Sequence, residues 1–158
     1  MAIMKIRKIG DPVLRSKAKE VDKINDKTKE LLDNMTETMY DADGAGLAAP
    51  QVGVLQRIFI VDDGEGLTEF INPKIISKKG KAIMEEGCLS VPGETGTVVR
   101  AKNVIVEALN RNGEKFKIEA TDLKARAILH EYDHLEGILY VDKKISQEQL
   151  KGIEIEEN

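Results

Sequence analysis

The chain contains no tryptophan, one cysteine and only two histidines among its 158 residues. Because Cys88 has no second cysteine to pair with, an intrachain disulfide is excluded and the fold must depend on a hydrophobic core. No segment approaches the roughly 18 consecutive apolar residues of a membrane span, and the N-terminus lacks the apolar stretch of a signal peptide. We therefore expect a cytoplasmic protein without a membrane partner.

A large excess of basic residues is also missing. The 24 lysines and arginines stand against 28 aspartates and glutamates, which gives a net charge of −4. Since proteins that bind nucleic acid usually carry a strong basic excess, we expect no nucleic-acid specificity. The hydrophobic fraction of 41% and the charged fraction of 33% are typical of a globular chain. The length corresponds to one domain, which we place at 1–158.

Apolar spacing predicts one helix before and one helix after a strand-rich middle. The first helix spans 25–42, and the second begins at Thr121 or Asp122 and runs to about Glu136. Segments rich in β-branched and aromatic residues predict strands at 57–62, 98–99, 104–109 and 115–119. The segment 70–76 contains Asn72-Pro73 and is predicted to be a short strand or an edge segment. The remaining predicted elements are a glycine-rich loop at 44–51, a hairpin turn at 110–113 and a last helical turn at 146–150. This order favours an α+β fold over alternating βαβ units.

Both histidines lie in the run His130-Glu131-Tyr132-Asp133-His134 of the predicted second helix. Residues four apart on a helix lie one above the other, so His130 and His134 can bind one metal ion. Glu131 is rotated away from them and can reach a water on the metal without binding the metal itself. The alternative is an amphipathic helix with two incidental histidines, but the four-residue spacing with an intervening glutamate favours a hydrolytic metal site.

A catalytic metal site needs a third protein ligand and one open position. Cys88 is the only thiol that can complete the set, and a thiolate is a good ligand for zinc or ferrous iron. The alternative for a lone cysteine is a small buried apolar residue. Gln51 ends the glycine-rich loop, where its amide can donate a hydrogen bond to an oxyanion. A plain turn after a helix explains Gln51 equally well at this point.

Four segments together resemble the peptide deformylase family: IRKIGDPVLR at 6–15, GAGLAAPQ at 44–51, EGCLS at 86–90 and HEYDHLEG at 130–137. The resemblance extends over essentially the whole chain. It implies an α+β fold in which antiparallel β-sheets pack around a central helix that carries the HEYDH motif. It also implies one catalytic domain.

The resemblance implies a metal-dependent hydrolase that removes the N-formyl group from the N-terminal formylmethionine of newly synthesised proteins and releases formate. Cys88, His130 and His134 would bind one divalent metal ion. The family's metal is typically Fe²⁺, although Ni²⁺, Co²⁺ or Zn²⁺ can substitute. The partners would be formyl-methionyl nascent peptides, and proximity to the ribosome is an expectation at the level of the family.

The matching positions also carry catalytic and substrate-binding roles. Glu131 would act as general base and then general acid while metal-activated water attacks the formyl carbon. Gln51 and the Leu89 backbone N–H would hold the developing oxyanion. The residues expected to contact the methionine side chain or the substrate backbone are Ala45, Gly46, Met84, Leu123 and Ala127. Behind the glycine-rich loop, an ion pair between Asp43 and Arg100 is expected.

Two rival functions remain. A metallopeptidase of the His-Glu-x-x-His type would take a third ligand from a later glutamate or histidine, but no histidine follows His134. A non-catalytic metal-binding module would close its site with a fourth protein ligand, and the chain has neither a second cysteine nor a third histidine. Peptidase activity without deformylation would decide for the first rival.

Overall fold

The structure, a computed structural model, describes the backbone of residues 2–157 and the side chains of residues 2–153. Its helices are α1 (Asp26–Asp41), α2 (Asp122–Leu135) and α3 (Gln147–Glu157). Its strands are β1 (Gly46–Ala48), β2 (Ile58–Asp62), β3 (Leu67–Lys79), β4 (Ala82–Cys88), β5 (Val91–Arg100), β6 (Asn103–Leu109) and β7 (Lys115–Thr121). Single 3₁₀ turns lie at Pro12–Arg15, Ala49–Val52 and Tyr140–Asp142.

The strands form two antiparallel sheets. Five strands pair in the order β1-β2-β3-β6-β7, and β4 pairs with β5 in a separate two-stranded sheet. Helix α2 packs against β1, β2, β6 and β7 of the larger sheet. The predicted α+β class with antiparallel sheets is confirmed. No helix among residues 2–157 has both the length and the hydrophobicity to cross a membrane.

Helix α1 forms where its spacing predicts it. The Asn25 side chain accepts a hydrogen bond from the Thr28 backbone N–H at 3.1 Å, and the Thr28 hydroxyl accepts one from the Asn25 N–H at 3.3 Å. This reciprocal cap is worth about 1 kcal/mol. The apolar face of the helix buries Leu32, Met35 and Met39 completely in the core. Helix α1 therefore supports β1 and β2 from one side.

Strand β3 differs from the prediction of a short strand or an edge segment. It runs for 13 residues and lies in the centre of the large sheet. Pro73 cannot donate to a neighbouring strand, but the pairing with β6 shifts register between Ile71 and Lys74, so no donor is needed there. Asn72 adopts a φ of 50° in this bulge and bonds the backbone of Val21 through both ends of its amide.

Two strands were not predicted from the sequence. The predicted glycine-rich loop at 44–51 contains β1, in which Gly46 pairs with Val61 of β2. Strand β4 pairs with β5 although its sequence, Ala-Ile-Met-Glu-Glu-Gly-Cys, has no clear alternation. Both strands are short of β-branched residues. Strand β1 begins at Gly46 and β4 ends at Cys88, and both of these residues belong to the predicted site. Their pairing is decided by the neighbouring strands rather than by their own propensity.

Gly137 ends α2 with a φ of 74°, in the left-handed region. A Cβ at this position would lie 2.7 Å from the backbone oxygen of Arg15. Gly113, in the β6–β7 hairpin, has a similar φ of 78° but would meet no atom within 4 Å. Both glycines therefore adopt a positive φ that other residues rarely adopt, but only Gly137 also lies close to the backbone of another segment, at Arg15.

We expect Gly137→Ala to destabilise the protein by about 1–3 kcal/mol more than Gly113→Ala, because only the first substitution also creates a clash with rigid backbone. Urea unfolding followed by circular dichroism measures both changes. Equal losses of stability in the two variants would show that the approach to Arg15 is unimportant.

Candidate active site

Helix α2 and the end of β4 bring three potential metal ligands together. The ligand atoms of Cys88, His130 and His134 all lie within 4.8 Å of one another, and Cys88 Sγ is 3.4 Å from His134 Nε2. The two imidazole rings meet edge to face, with centroids 5.1 Å apart. Among the described side chains, no other group of three histidines, cysteines or acids comes together in this way.

The chemistry of this cluster fits one transition-metal ion. Two imidazoles and one thiolate are three soft to borderline donors, which suit zinc or ferrous iron and leave a fourth position for water or substrate. Burial lowers the pKa of His134 well below its usual value, so its ring is neutral and can donate a lone pair. Cys88 is only partly buried, so the cluster remains reachable from outside.

Glu86 fixes the orientation of His130. Its Oε1 lies 2.9 Å from His130 Nδ1, and its two oxygens also accept hydrogen bonds from Arg100 at 2.5 and 2.9 Å. Arg126 forms a further ion pair with Oε2. Burial opposes ionisation, but the hydrogen bonds from His130 and Arg100 lower the pKa of Glu86 to about 2. The carboxylate therefore accepts the Nδ1 proton and leaves Nε2 of His130 free for a metal ion.

The expected ion pair between Asp43 and Arg100 is wrong. The Arg100 side chain is only 3% exposed. It binds Glu86 of β4 and, at 2.9 Å, Asp133 of α2. Asp43 lies on the rim of the cavity, just after α1, with a φ of 60°. A buried guanidinium needs buried carboxylates, and only β4 and α2 supply them at this place.

Glu131 lies deep in the site beside the ligand cluster. It is 5% exposed, and its Oε1 has no hydrogen-bond partner among the described residues. Burial raises the pKa of Glu131 to about 7. A carboxyl group with such a pKa can both accept and return a proton near neutral pH. A Cβ at Gly46 of β1 would lie 2.6 Å from Glu131 Oε2, so glycine allows the strand to pass directly beside the carboxylate.

Gln51 directs its amide toward the same point. Its Oε1 accepts from the Ala48 N–H at 2.9 Å, while its Nε2 donates to Ser90 Oγ at 3.1 Å and lies 3.6 Å from Cys88 Sγ. The Gln51 side chain is buried in the 3₁₀ turn that follows β1. Leu89 directly follows Cys88, and its carbonyl accepts from Lys8 Nζ at 3.1 Å. Both predicted oxyanion residues thus border the candidate metal ligands.

A cavity of about 860 Å³ opens onto these groups. Of the predicted substrate contacts, Ala45, Gly46, Leu123 and Ala127 line it. Met84 does not line it: its side chain is 38% exposed on β4. It precedes Cys88 by four residues, which in an extended strand is about 13 Å. The structure therefore does not bring Met84 to this cavity.

Glu86, Arg126 and Tyr140 contact the site but were not found from the sequence. Arg126 lies four residues before His130 on α2, one helical turn away, and Glu86 lies two residues before Cys88. A metal-binding histidine usually donates its second nitrogen to a carboxylate, so the need for such a partner was a usable signal for Glu86. Nothing local pointed to Tyr140.

We expect Glu86→Gln to weaken metal binding about 10- to 100-fold, because the amide cannot hold His130 as the carboxylate does. Competition with a chelator measures the affinity. The matched control is Glu85→Gln on the exposed face of β4, which should leave metal affinity unchanged. Equal affinities of wild type and Glu86→Gln would contradict the orienting role.

Comparison with known proteins identifies the family of the chain. The family model described as Polypeptide deformylase matches residues 3–150. A peptide deformylase of Halothermothrix orenii is 62% identical, covering 92% of this chain and 96% of that relative. One of Clostridium botulinum is 59% identical, covering 90% of this chain and 97% of that relative.

Solved structures give the same result. A peptide deformylase of Thermotoga maritima superposes with a TM-score of 0.90 at 43% identity, covering 91% of this chain and 99% of that chain. One of Synechococcus elongatus, in complex with actinonin, gives a TM-score of 0.89 at 39% identity, covering 94% and 82% respectively. On the sequence match over nearly its full length, the chain belongs to the polypeptide deformylase family.

Proposed function

We propose that the chain is a peptide deformylase: it hydrolyses the N-formyl group of formylmethionine at the start of newly synthesised proteins and releases formate. The observation that carries the proposal is the cluster of Cys88, His130 and His134 next to the buried carboxyl of Glu131, at the base of an open cavity. Family membership supports it. We further propose that 1–158 is one catalytic domain that works in the cytoplasm, close to ribosomes that supply nascent chains.

We assign Cys88, His130 and His134 as ligands of one divalent ion. Fe²⁺ is the first candidate, with Ni²⁺, Co²⁺ and Zn²⁺ as substitutes, because thiolate and imidazole suit all of these ions. Such an ion would supply Lewis acidity, lowering the pKa of a water molecule and polarising the formyl oxygen.

The side chains around the ligands would carry the proton and the charge. Glu131 takes a proton from the attacking water, whose oxygen bonds the formyl carbon, and then delivers that proton to the nitrogen as the C–N bond breaks. The products are formate and a free amino terminus. Gln51 Nε2 and the Leu89 backbone N–H donate to the oxygen that becomes negative during attack. The raised pKa of Glu131 and the position of Gln51 beside Cys88 support these roles.

The cavity walls suit a methionyl peptide. Ala45, Leu123 and Ala127 give it apolar surface that would receive the methionine side chain. Strand β1 lies at the edge of the large sheet, so Gly46 can accommodate substrate backbone alongside it as an added strand. Nascent formyl-methionyl chains therefore fit the cavity in an extended conformation.

The rival functions fit less well. A metallopeptidase would take a glutamate or histidine as third ligand, whereas Cys88 occupies that place among the described side chains. A non-catalytic module would enclose its metal, but here a wide cavity reaches Cys88, His130 and Glu131.

We expect Glu131→Gln to retain metal but to lower the rate of formate release by about 10²- to 10⁴-fold, because the amide cannot transfer the proton. The assay follows formate from a formyl-methionyl peptide, with and without chelator, and cleavage of an unformylated peptide tests the peptidase alternative. Glu119→Gln, on the exposed face of β7, is the control that should keep full activity. Full activity in Glu131→Gln would refute the mechanism.

We expect Gly46→Ala to lower kcat by about 10²-fold with metal content unchanged, because the new Cβ displaces the Glu131 carboxylate. Steady-state kinetics and metal analysis measure the two quantities. Gly152→Ala in α3, where a Cβ meets nothing within 4 Å, is the matched control. A Gly46→Ala enzyme with wild-type kcat would show that the carboxylate does not need this position.

A further inference from the structure

One wall of the cavity is a bulge in β5. The pairs Glu86–Gly96 and Cys88–Val91 enclose a single residue on β4 but the four residues 92–95 on β5. We call these four residues the β5 bulge. Gly93 has a φ of 79° there, which lets the chain turn outward. Three of its members line the cavity, and all four are exposed, namely Pro92, Gly93, Glu94 and Thr95.

Tyr140 contacts both the β5 bulge and a metal ligand. Its ring is buried and lies 6.2 Å from the His130 ring, centroid to centroid, with 25° between the planes. Its hydroxyl donates a hydrogen bond to the Glu94 backbone carbonyl at 3.0 Å. The same ring packs with Val91 and Val98 on either side of the bulge. One rigid side chain therefore spans from the ligand to the middle of the bulge.

Other contacts attach β5 beyond the bulge, where the Lys144 side chain lies against Gly96, whereas the Tyr140 hydroxyl bonds the bulge itself. Ile145 donates its N–H to the Thr97 carbonyl at 2.9 Å, which fastens the segment after Tyr140 to β5 beyond the bulge. At the bulge itself, the Thr95 hydroxyl bonds the Glu85 carboxylate. This second contact is exposed, and water competes with it, so it contributes little to holding the bulge.

We propose that Tyr140 is a positioning residue whose hydroxyl holds the β5 bulge in register with His130, and thereby sets the affinity for the peptide residues beyond the second. The inference rests on the proposed function. The bulge lies at the exposed mouth of the cavity, whereas Glu131 and Gln51 lie at its buried base. A formyl group bound at the base places the later residues of the peptide against the mouth.

The test is Tyr140→Phe, which keeps the ring and removes only the hydroxyl. We expect faster amide hydrogen exchange in 93–96 and a KM for formyl-Met-Ala-Ser-Ala raised about three- to tenfold, the effect of losing one net hydrogen bond. The KM for the shorter formyl-Met-Ala, kcat and the metal content should stay at wild-type values. A general structural defect would instead change kcat and both KM values together.

Two further variants separate the hydroxyl from the ring. Tyr132→Phe removes the hydroxyl of a tyrosine whose ring lies 5.5 Å from the Arg57 guanidinium and packs against the core, so none of these quantities should change. Tyr140→Leu removes the ring beside His130 as well, and we expect it to weaken metal binding in addition to raising KM.

Unchanged exchange in 93–96 of Tyr140→Phe would overturn the proposal, and so would an equal rise in KM for the two peptides. A wild-type protein that releases no formate would overturn the proposed function and the substrate part of this inference with it. The exchange measurement would even then decide whether Tyr140 holds the bulge.

Discussion

The carboxylate of Glu86 lies where β4, β5 and α2 meet, and it is bonded by Arg100, Arg126 and His130 at once. Removing a carboxylate from water costs several kcal/mol, so it is stable here only because all three partners are present. Loss of the Glu86 carboxylate would cost about 3–5 kcal/mol, since the buried guanidinium groups of Arg100 and Arg126 would lose the counter-charge that they share. The Glu86 cluster therefore joins the small sheet to α2. Cys88 lies two residues after Glu86 on β4, so the same cluster also places the Cys88 thiol beside the two imidazoles.

The remaining groups of the site reach it from segments far apart in the sequence. The N-terminal segment joins two of them through its backbone: the Arg7 N–H donates to the Gln51 carbonyl at 2.7 Å, and the Ile9 N–H donates to the Ser90 carbonyl at 2.8 Å. The same N-terminal segment thus holds both the turn that carries Gln51 and the turn after β4. The proposed oxyanion contacts would need donors placed to within the length of a hydrogen bond, and these two backbone bonds restrict where both turns can lie.

The sequence predicted the parts of this protein that depend on local pattern. Both long helices follow from apolar spacing, and the grouping of Cys88 with His130 and His134 follows from the HEYDH spacing with Cys88 as the only available thiol. It did not predict contacts that depend on which strands pair. Arg100 was assigned to the wrong acid, because only the pairing of β4 with β5 brings it to Glu86. Pro73 suggested an edge strand, because a bulge that removes the need for its missing donor is invisible in the sequence.

Two glutamates of one site also show why residue type alone does not fix a role. Glu86 and Glu131 are both buried, so desolvation raises the pKa of each. Glu86 has donors on both oxygens, and these reverse the effect and keep it ionised as a structural anion. Glu131 has an oxygen without a partner and no direct guanidinium contact, so burial prevails and its pKa rises toward neutrality. Because both oxygens of Glu86 are occupied by donors, it is a poor proton acceptor, whereas Glu131, with one oxygen unpartnered among the described residues, fits the proton-transfer role that we propose for it.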